Sequence, residues 1–264
     1  MNSVERLDWR GEALGEVPDS LRGATHLKHL GLSQTGLTTL PDWLWSLHPL
    51  ESLNVSENAL RTISEQIANL RRLRTLDLGH NRLTELPATL GDLADLTDYL
   101  YLSDNQLTTF PESLGRLRRL KYLGFTDNQL TALPDAVGDL ASLRELRLYH
   151  NQLQHLPEGI GRLADLRELH LHDNRLVDLP DAVGDLRSLR ILDLRNNCLA
   201  QLPTRLADLA NLGFLDLRAN RLRHLPDSLA GLPRLEKLDL RWNPLDEPPS
   251  WVDDLELRGC AVLR

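Results

Sequence analysis

Every tyrosine in the chain belongs to one cluster of potentially reactive or adhesive side chains: Tyr99, Tyr101, Tyr122 and Tyr149, accompanied by Arg147, His150, His170 and His172. Tyrosine and arginine are the types enriched at the energetic centres of protein interfaces, because each offers a broad flat surface and hydrogen-bond donors. His150, His170, His172 and Asp173 could instead ligate zinc, which accepts imidazole and carboxylate. No H-E-x-x-H or C-x-x-C spacing accompanies them, so ordinary polar contacts are expected and no metal or cofactor is assigned. Nucleophilic catalysis has no foothold either. There is no G-x-S-x-G elbow, and neither Cys198 nor Cys260 adjoins a motif-like histidine. A phosphate loop is absent, since no Gly-Lys pair occurs. The chain is expected not to be an enzyme.

What must hold these side chains is a repeat. Asparagines fall at 58, 81, 105, 128, 151, 174, 197, 220 and 243, spaced by 23 residues except for a step of 24 from Asn81 to Asn105. Each unit reads L-x-x-L-x-L-x-x-N-x-L-x-x-L-P-x-x-L/V/I-x-x-L-x-x, and eleven such units run from Val4 to about residue 257. Glu12 and Thr35 stand in the asparagine place of the first two units. The segment L-x-L, as in Leu146-Arg147-Leu148, has period 2 and predicts a short strand with its leucines on one face. Strands that recur in the same direction must stack in parallel, with each crossover on the outside. Asparagine carries both donors and acceptors, so a stack of them can satisfy the backbone where the chain leaves the strand. Proline follows in ten of eleven units, Ser64 being the exception, and fixes φ on the outer arc where no ladder bond is wanted. Gly91, Gly115, Gly138, Gly161 and Gly184 predict tight turns on that outer side. The extra residue near Leu96–Thr97 predicts a bulge before its strand or a shift of the preceding turn.

On these columns the sequence resembles the leucine-rich repeat proteins, in particular the 23-residue class with the L-P-x-x-I/L-G-x-L outer segment found in Ras-pathway scaffolds, plant intracellular proteins and many bacterial proteins. The resemblance covers roughly residues 4–257. It implies an α/β solenoid: a curved horseshoe with a parallel concave β-sheet and short turns or 3₁₀ segments on the convex side. It also implies a protein-binding function. Residues 1–264 then form one leucine-rich-repeat domain, closed by a C-terminal cap over 246–264 that includes Pro248, Pro249 and Trp251.

Composition agrees with an elongated repeat. Leucine supplies 65 of 264 residues, while aromatics are only 5%. The net charge of −8 argues against nucleic acid as a partner, because phosphate attraction needs a basic surface. No apolar run approaches the roughly 20 residues of a membrane span, so no membrane partner is expected. The opening Met1-Asn2-Ser3-Val4-Glu5-Arg6 lacks a basic and then apolar leader. Cys198 and Cys260 lie several strands apart, too far for a disulfide, and two free thiols suit a reducing cytoplasm. The expected compartment is therefore cytoplasmic, with secretion as an effector into a host left open. Arginine far outnumbers lysine, which fits a GC-rich bacterial genome. Charges near the first strand (Glu5, Arg6, Asp8, Arg10) discourage edge pairing, so a monomer is expected rather than a homodimer.

The third, fifth, seventh and eighth places of each unit flank the inward leucines and face the concavity. All four tyrosines land there, as do Arg147, His150, His170 and His172. Phe214 and Trp242 extend the set beside a column of Asp193, Asp216 and Asp239 matched by Arg195, Arg218 and Arg241. That double row is either a self-neutralising ladder or a polar docking strip. The expected contact surface is thus Tyr99, Tyr101, Tyr122, Arg147, Tyr149, His150, His170, His172, Phe214 and Trp242, for a protein or peptide partner. A small ligand, a glycan or a peptidoglycan fragment is the alternative occupant, since tyrosine stacking serves those as well.

Overall fold

A computed structural model of the chain describes residues 4–247 and 249–264; Met1–Ser3 and the cap residue Pro248 lie outside the described residues. Its strands are β1 (Arg6–Asp8), β2 (His29–Gly31), β3 (Ser52–Asn54), β4 (Thr75–Asp77), β5 (Tyr99–Tyr101), β6 (Tyr122–Gly124), β7 (Glu145–Arg147), β8 (Glu168–His170), β9 (Ile191–Asp193), β10 (Phe214–Asp216), β11 (Lys237–Asp239) and β12 (Ala261–Leu263). They form one parallel sheet in sequence order, the concave wall of a curved solenoid. Leucine opposes leucine across successive rungs, as in Leu100, Leu123 and Leu146, and these side chains are fully buried. Each unit hides its apolar side only against its neighbours, so the core is a continuous leucine column.

Outside, nine of the ten repeat prolines place a 3₁₀ turn, and Pro249 leads instead into the helix Trp251–Leu257. Pro157 at φ −73° precedes the helix Glu158–Arg162, which closes when the Leu163 N–H donates to the Ile160 carbonyl at 3.2 Å. Where Ser64 replaces proline, its hydroxyl accepts from the Gln66 N–H at 3.2 Å and caps the turn instead. The convex glycines answer a different need from the one their sequence suggests. None of the five has a positive φ. A Cβ on Gly138 would lie 2.0 Å from the Gly159 carbonyl oxygen, and on Gly115 2.5 Å from that of Ala136. They are there so that adjacent 3₁₀ turns can touch backbone to backbone.

The asparagines form the polar seam. Asn151 Oδ1 accepts from Leu130 N–H, while its amide donates to the carbonyls of Phe125 and Leu148 at 2.9 and 3.0 Å. Thr35 closes the seam near the first end, donating its N–H to Asn58 Oδ1 at 3.1 Å and its hydroxyl to the Leu32 carbonyl. The extra residue is absorbed at Thr97–Asp98, just before β5. There Asp98 N–H reaches Arg74 O, and register returns with Tyr99 opposite Thr75.

The far end departs from the repeat. Helix α1 (Trp251–Leu257) buries Trp251, Val252 and Leu255 against the last unit. The chain then returns as β12, a twelfth rung beyond the eleven units counted in the sequence. No described helix is long and apolar enough to cross a membrane.

Candidate functional site

The backbone places the eighth residue of each unit just past its strand in the left-handed region. Ten non-glycine residues do this, from Gln34 at φ 58° through His150 at 53° and Asp173 at 55° to Trp242 at 63°. That conformation is uncommon outside glycine, asparagine and aspartate, and it turns these side chains sideways along the rim, where they meet one another. His150 Nδ1 lies 2.7 Å from Asp127 Oδ1 and its Nε2 lies 3.1 Å from Asp173 Oδ2, while Asn196 donates to the other oxygen of Asp173.

Beside this rim, the concave strands carry the tyrosines, each half-buried. Tyr99 and Tyr101 rings are 4.8 Å apart between centroids, and Tyr101 and Tyr122 are 4.7 Å apart. The contact depends on Gly124, which faces Tyr101 across the ladder: a Cβ there would meet the Tyr122 ring at 3.1 Å. Sequence reasoning passed over Gly124, whose only signal is a missing side chain in a column of large ones. Arg147 lies over Tyr122 at 5.5 Å and donates to Glu145 at 2.5 Å. Burial pushes the Tyr122 hydroxyl well above the usual phenol range, so it stays a neutral donor. Burial works against the Arg147 charge, but Tyr122 and Glu145 outweigh it and hold the guanidinium more firmly protonated. An open cleft of about 410 Å³ is lined by Tyr101, Tyr122, Arg147 and Tyr149, with Asp77 and His80 on its other side.

Tyr149 leads to the histidines. Its ring stacks on His172 at 4.3 Å with planes 10° apart, and meets His150 edge-on at 5.3 Å. His172 is a correction to its expected place on an open contact surface. Only 8% exposed, it is covered by Tyr149 on its face and has Asp193 beside it. His170 does not join it; its Nε2 lies 3.1 Å from Glu168 Oε2 on the same strand. Among the described residues, two groups have the spacing to share a cation: His150, His172 and Asp173, and separately Glu145, Glu168 and His170.

Phe214 and Trp242 lie apart from the tyrosines, on β10 and beyond β11. Phe214 is half-buried under Lys237, and Trp242 is 73% exposed on its left-handed turn beside Arg241. Between them the charged double row is turned inward. Asp216 and Asp239 are buried; Arg218 Nε lies 2.9 Å from Asp216 and 3.3 Å from Asp239, and Arg241 adds bonds of 2.9 and 2.7 Å to Asp239. Carboxylates so satisfied hold the sheet together and leave little charge for a docking partner.

Family comparisons agree with this architecture. A family described as leucine-rich repeat region matches residues 103–193, and leucine rich repeat families match 49–107, 71–130, 188–209 and 203–245. Among solved structures, a leucine-rich repeat protein of Leptospira interrogans is 31% identical over 99% of this chain and 72% of its own, with a TM-score of 0.78. The Arabidopsis receptor kinase HAESA, in complex with a peptide hormone and a co-receptor, is 26% identical over 92% of this chain and 46% of its own, at 0.73. The ectodomain of an Arabidopsis thaliana membrane receptor kinase, GASSHO1/SCHENGEN3, is 26% identical over 99% and 41%, at 0.54. This chain thus spans less than half of either plant chain. A search of curated proteins finds no match.

These likenesses correct the expected cytoplasmic compartment, for they include an ectodomain and a hormone-bound receptor. The inference from cysteine fails for a physical reason. Both thiols are free, yet a solenoid held by leucines and an asparagine seam has no need of sulfur in any compartment.

Proposed function

The chain belongs to the leucine-rich repeat family, and from that premise we propose that it is a non-enzymatic scaffold whose concave face binds a protein or extended peptide. The observation that carries this reading is the run of touching, half-exposed rings Tyr99, Tyr101 and Tyr122 with Arg147 alongside, continuing through Tyr149. Such rings offer area at little entropic cost, and their hydroxyls offer donors at the rim of the apolar surface. The receptor HAESA, similar in fold, is in complex with a peptide hormone. An open, shallow wall suits a chain laid across several rungs better than a molecule that must be enclosed. The reading includes one repeat domain of the 23-residue class, acting as a monomer, with no nucleic acid or membrane as partner; the net charge of −8 supports the first of these exclusions.

The test is affinity capture with the untagged full chain immobilised through its amines, comparing wild type with the Tyr99→Ala, Tyr101→Ala, Tyr122→Ala, Tyr149→Ala quadruple variant. Discrete proteins retained by wild type and lost by a variant of unchanged circular dichroism support the proposal. Retention of every captured protein by the variant overturns it. A sugar-induced thermal shift that disappears with the tyrosines, while capture is unaltered, would give the site to a glycan.

A further inference from the structure

We propose that His150, His172 and Asp173 form a three-ligand site for a divalent transition metal of the zinc class. One imidazole nitrogen of each histidine and one carboxylate oxygen of Asp173 lie within 4.8 Å of one another. The separation of His150 Nε2 and Asp173 Oδ2, 3.1 Å, is close to the roughly 3.3 Å between ligand atoms bound at about 2.0 Å in a tetrahedral shell.

The surroundings match what a metal-binding histidine requires. A ligating imidazole is held by a carboxylate on its other nitrogen, which fixes the tautomer and aims the lone pair. Here His150 has that partner on Nδ1, and a carboxylate also lies close to Nδ1 of His172. Asp127 Oδ1 lies 2.7 Å from His150 Nδ1, and Asp193 Oδ2 lies 3.0 Å from His172 Nδ1. The second pair is not a hydrogen bond, so Nδ1 of His172 is buried without a hydrogen-bond partner. Nε2 is then the lone pair that His150 turns toward Asp173, and His172 offers one ring nitrogen to the same cluster.

Rigidity comes from three sources. His172 is more than nine-tenths buried and stacked on Tyr149. His150 and Asp173 start from fixed left-handed backbone on adjacent rungs. Asn196 holds one oxygen of Asp173 and leaves the other toward His150. The second candidate group lacks this order, because Glu145 is already taken by Arg147. Three protein ligands leave a fourth position for water or for a donor atom from a bound partner.

The test uses the untagged full chain, stripped with chelator, titrated with Co²⁺ and then with Zn²⁺ in competition with a chromophoric chelator. Expected are one equivalent bound, a visible Co²⁺ spectrum of four-coordinate intensity, and its loss on adding Zn²⁺. His172→Ala and Asp173→Ala should each weaken Zn²⁺ by about 100-fold or more, and Asp127→Asn by about 10-fold or more. His170→Ala should leave binding unchanged. Because His172 is buried and packed on Tyr149, the exposed His150→Ala provides a second variant, read by the same spectrum and by circular dichroism. Failure of the wild type to bind one equivalent below about 100 µM overturns the proposal, as does binding that survives both His150→Ala and Asp173→Ala.

Discussion

Asn151 Oδ1 accepts the backbone N–H of Leu130 in the preceding unit at 2.9 Å, so a side chain from one repeat completes the backbone of another. The same amide donates to the carbonyls of Phe125 and Leu148 from a buried position. Asn151→Ala leaves several buried backbone groups without partners, at about 1–3 kcal/mol for each one that stays unsatisfied. The expected loss is about 3 kcal/mol, measured by urea unfolding. Asn243→Ala, at the less buried end of the seam, should cost about 1 kcal/mol by the same reasoning. Equal losses at the two positions would show that the seam does not act through burial.

A carboxylate in the concave sheet can weaken the fold. Asp77 accepts from Gly79 N–H at 3.0 Å, but burial pushes its carboxyl above the ordinary value, and Glu57 adds to the rise. A folded pKa raised above the unfolded one gives stability present at low pH and lost as pH rises through the folded value. At pH 7 the charge is therefore a burden. One rung earlier, Asn54 makes the equivalent bond to Ser56 N–H at 2.9 Å without charge. Asp77→Asn should stabilise at pH 7 by up to about 1 kcal/mol, with the gain vanishing below about pH 4. Thermal melts at both pH values decide it; destabilisation at pH 7 would contradict the argument.

Asp239 has the opposite sign. Burial raises its carboxyl, but the bonds from Arg241, with the charge of Arg218, outweigh this and hold it below the ordinary range. A depressed folded pKa gives stability present above the unfolded value, near 3.9, and lost as pH falls through the folded value. Asp239→Asn should cost about 2 kcal/mol at pH 7, a figure discounted because Arg241 is over a third exposed. The cost should shrink toward zero near pH 2. A loss independent of pH would assign the effect to packing.

How much of this was legible beforehand depends on what each residue's column reveals. Inward leucines, outer prolines and the asparagine seam follow from spacing alone, because period 2 and period 23 leave one way to bury the apolar side. Depth within the concave face is different. His172 and Tyr149 share a column two units long, yet one is covered and the other half-exposed, since stacking between rungs is invisible to periodicity. The left-handed eighth position carries glutamine, glutamate, histidine, aspartate, asparagine, alanine and tryptophan, and a single glycine, Gly11 in the first unit, is too little to announce it. Strand β12 was missed because Ala261-Val262-Leu263 follows α1 outside the repeat and pairs only through backbone. The chemistry at His150 depends on that hidden turn, which brings Asp127 and Asp173 to its two nitrogens.

The convex glycines separate two explanations of why glycine is used. If turn conformation were the reason, Gly138→Ala would be mild, because its φ lies where any residue is comfortable. The geometry requires the reverse: the new methyl would sit 2.0 Å from the Gly159 carbonyl oxygen, which is backbone and cannot swing away. Relief demands that the 3₁₀ turns Asp135–Asp139 and Glu158–Arg162 separate, forfeiting contact along that side of the solenoid. A loss of about 3 kcal/mol or more is expected, at the upper end for overpacking. Gly231→Ala provides the control: nothing lies within 4 Å of its added methyl, so the variant should stay within about 1 kcal/mol of wild type, on the stabilising side. Urea unfolding of both proteins distinguishes the two accounts, and a mild Gly138→Ala would mean that the convex layers are not packed backbone to backbone.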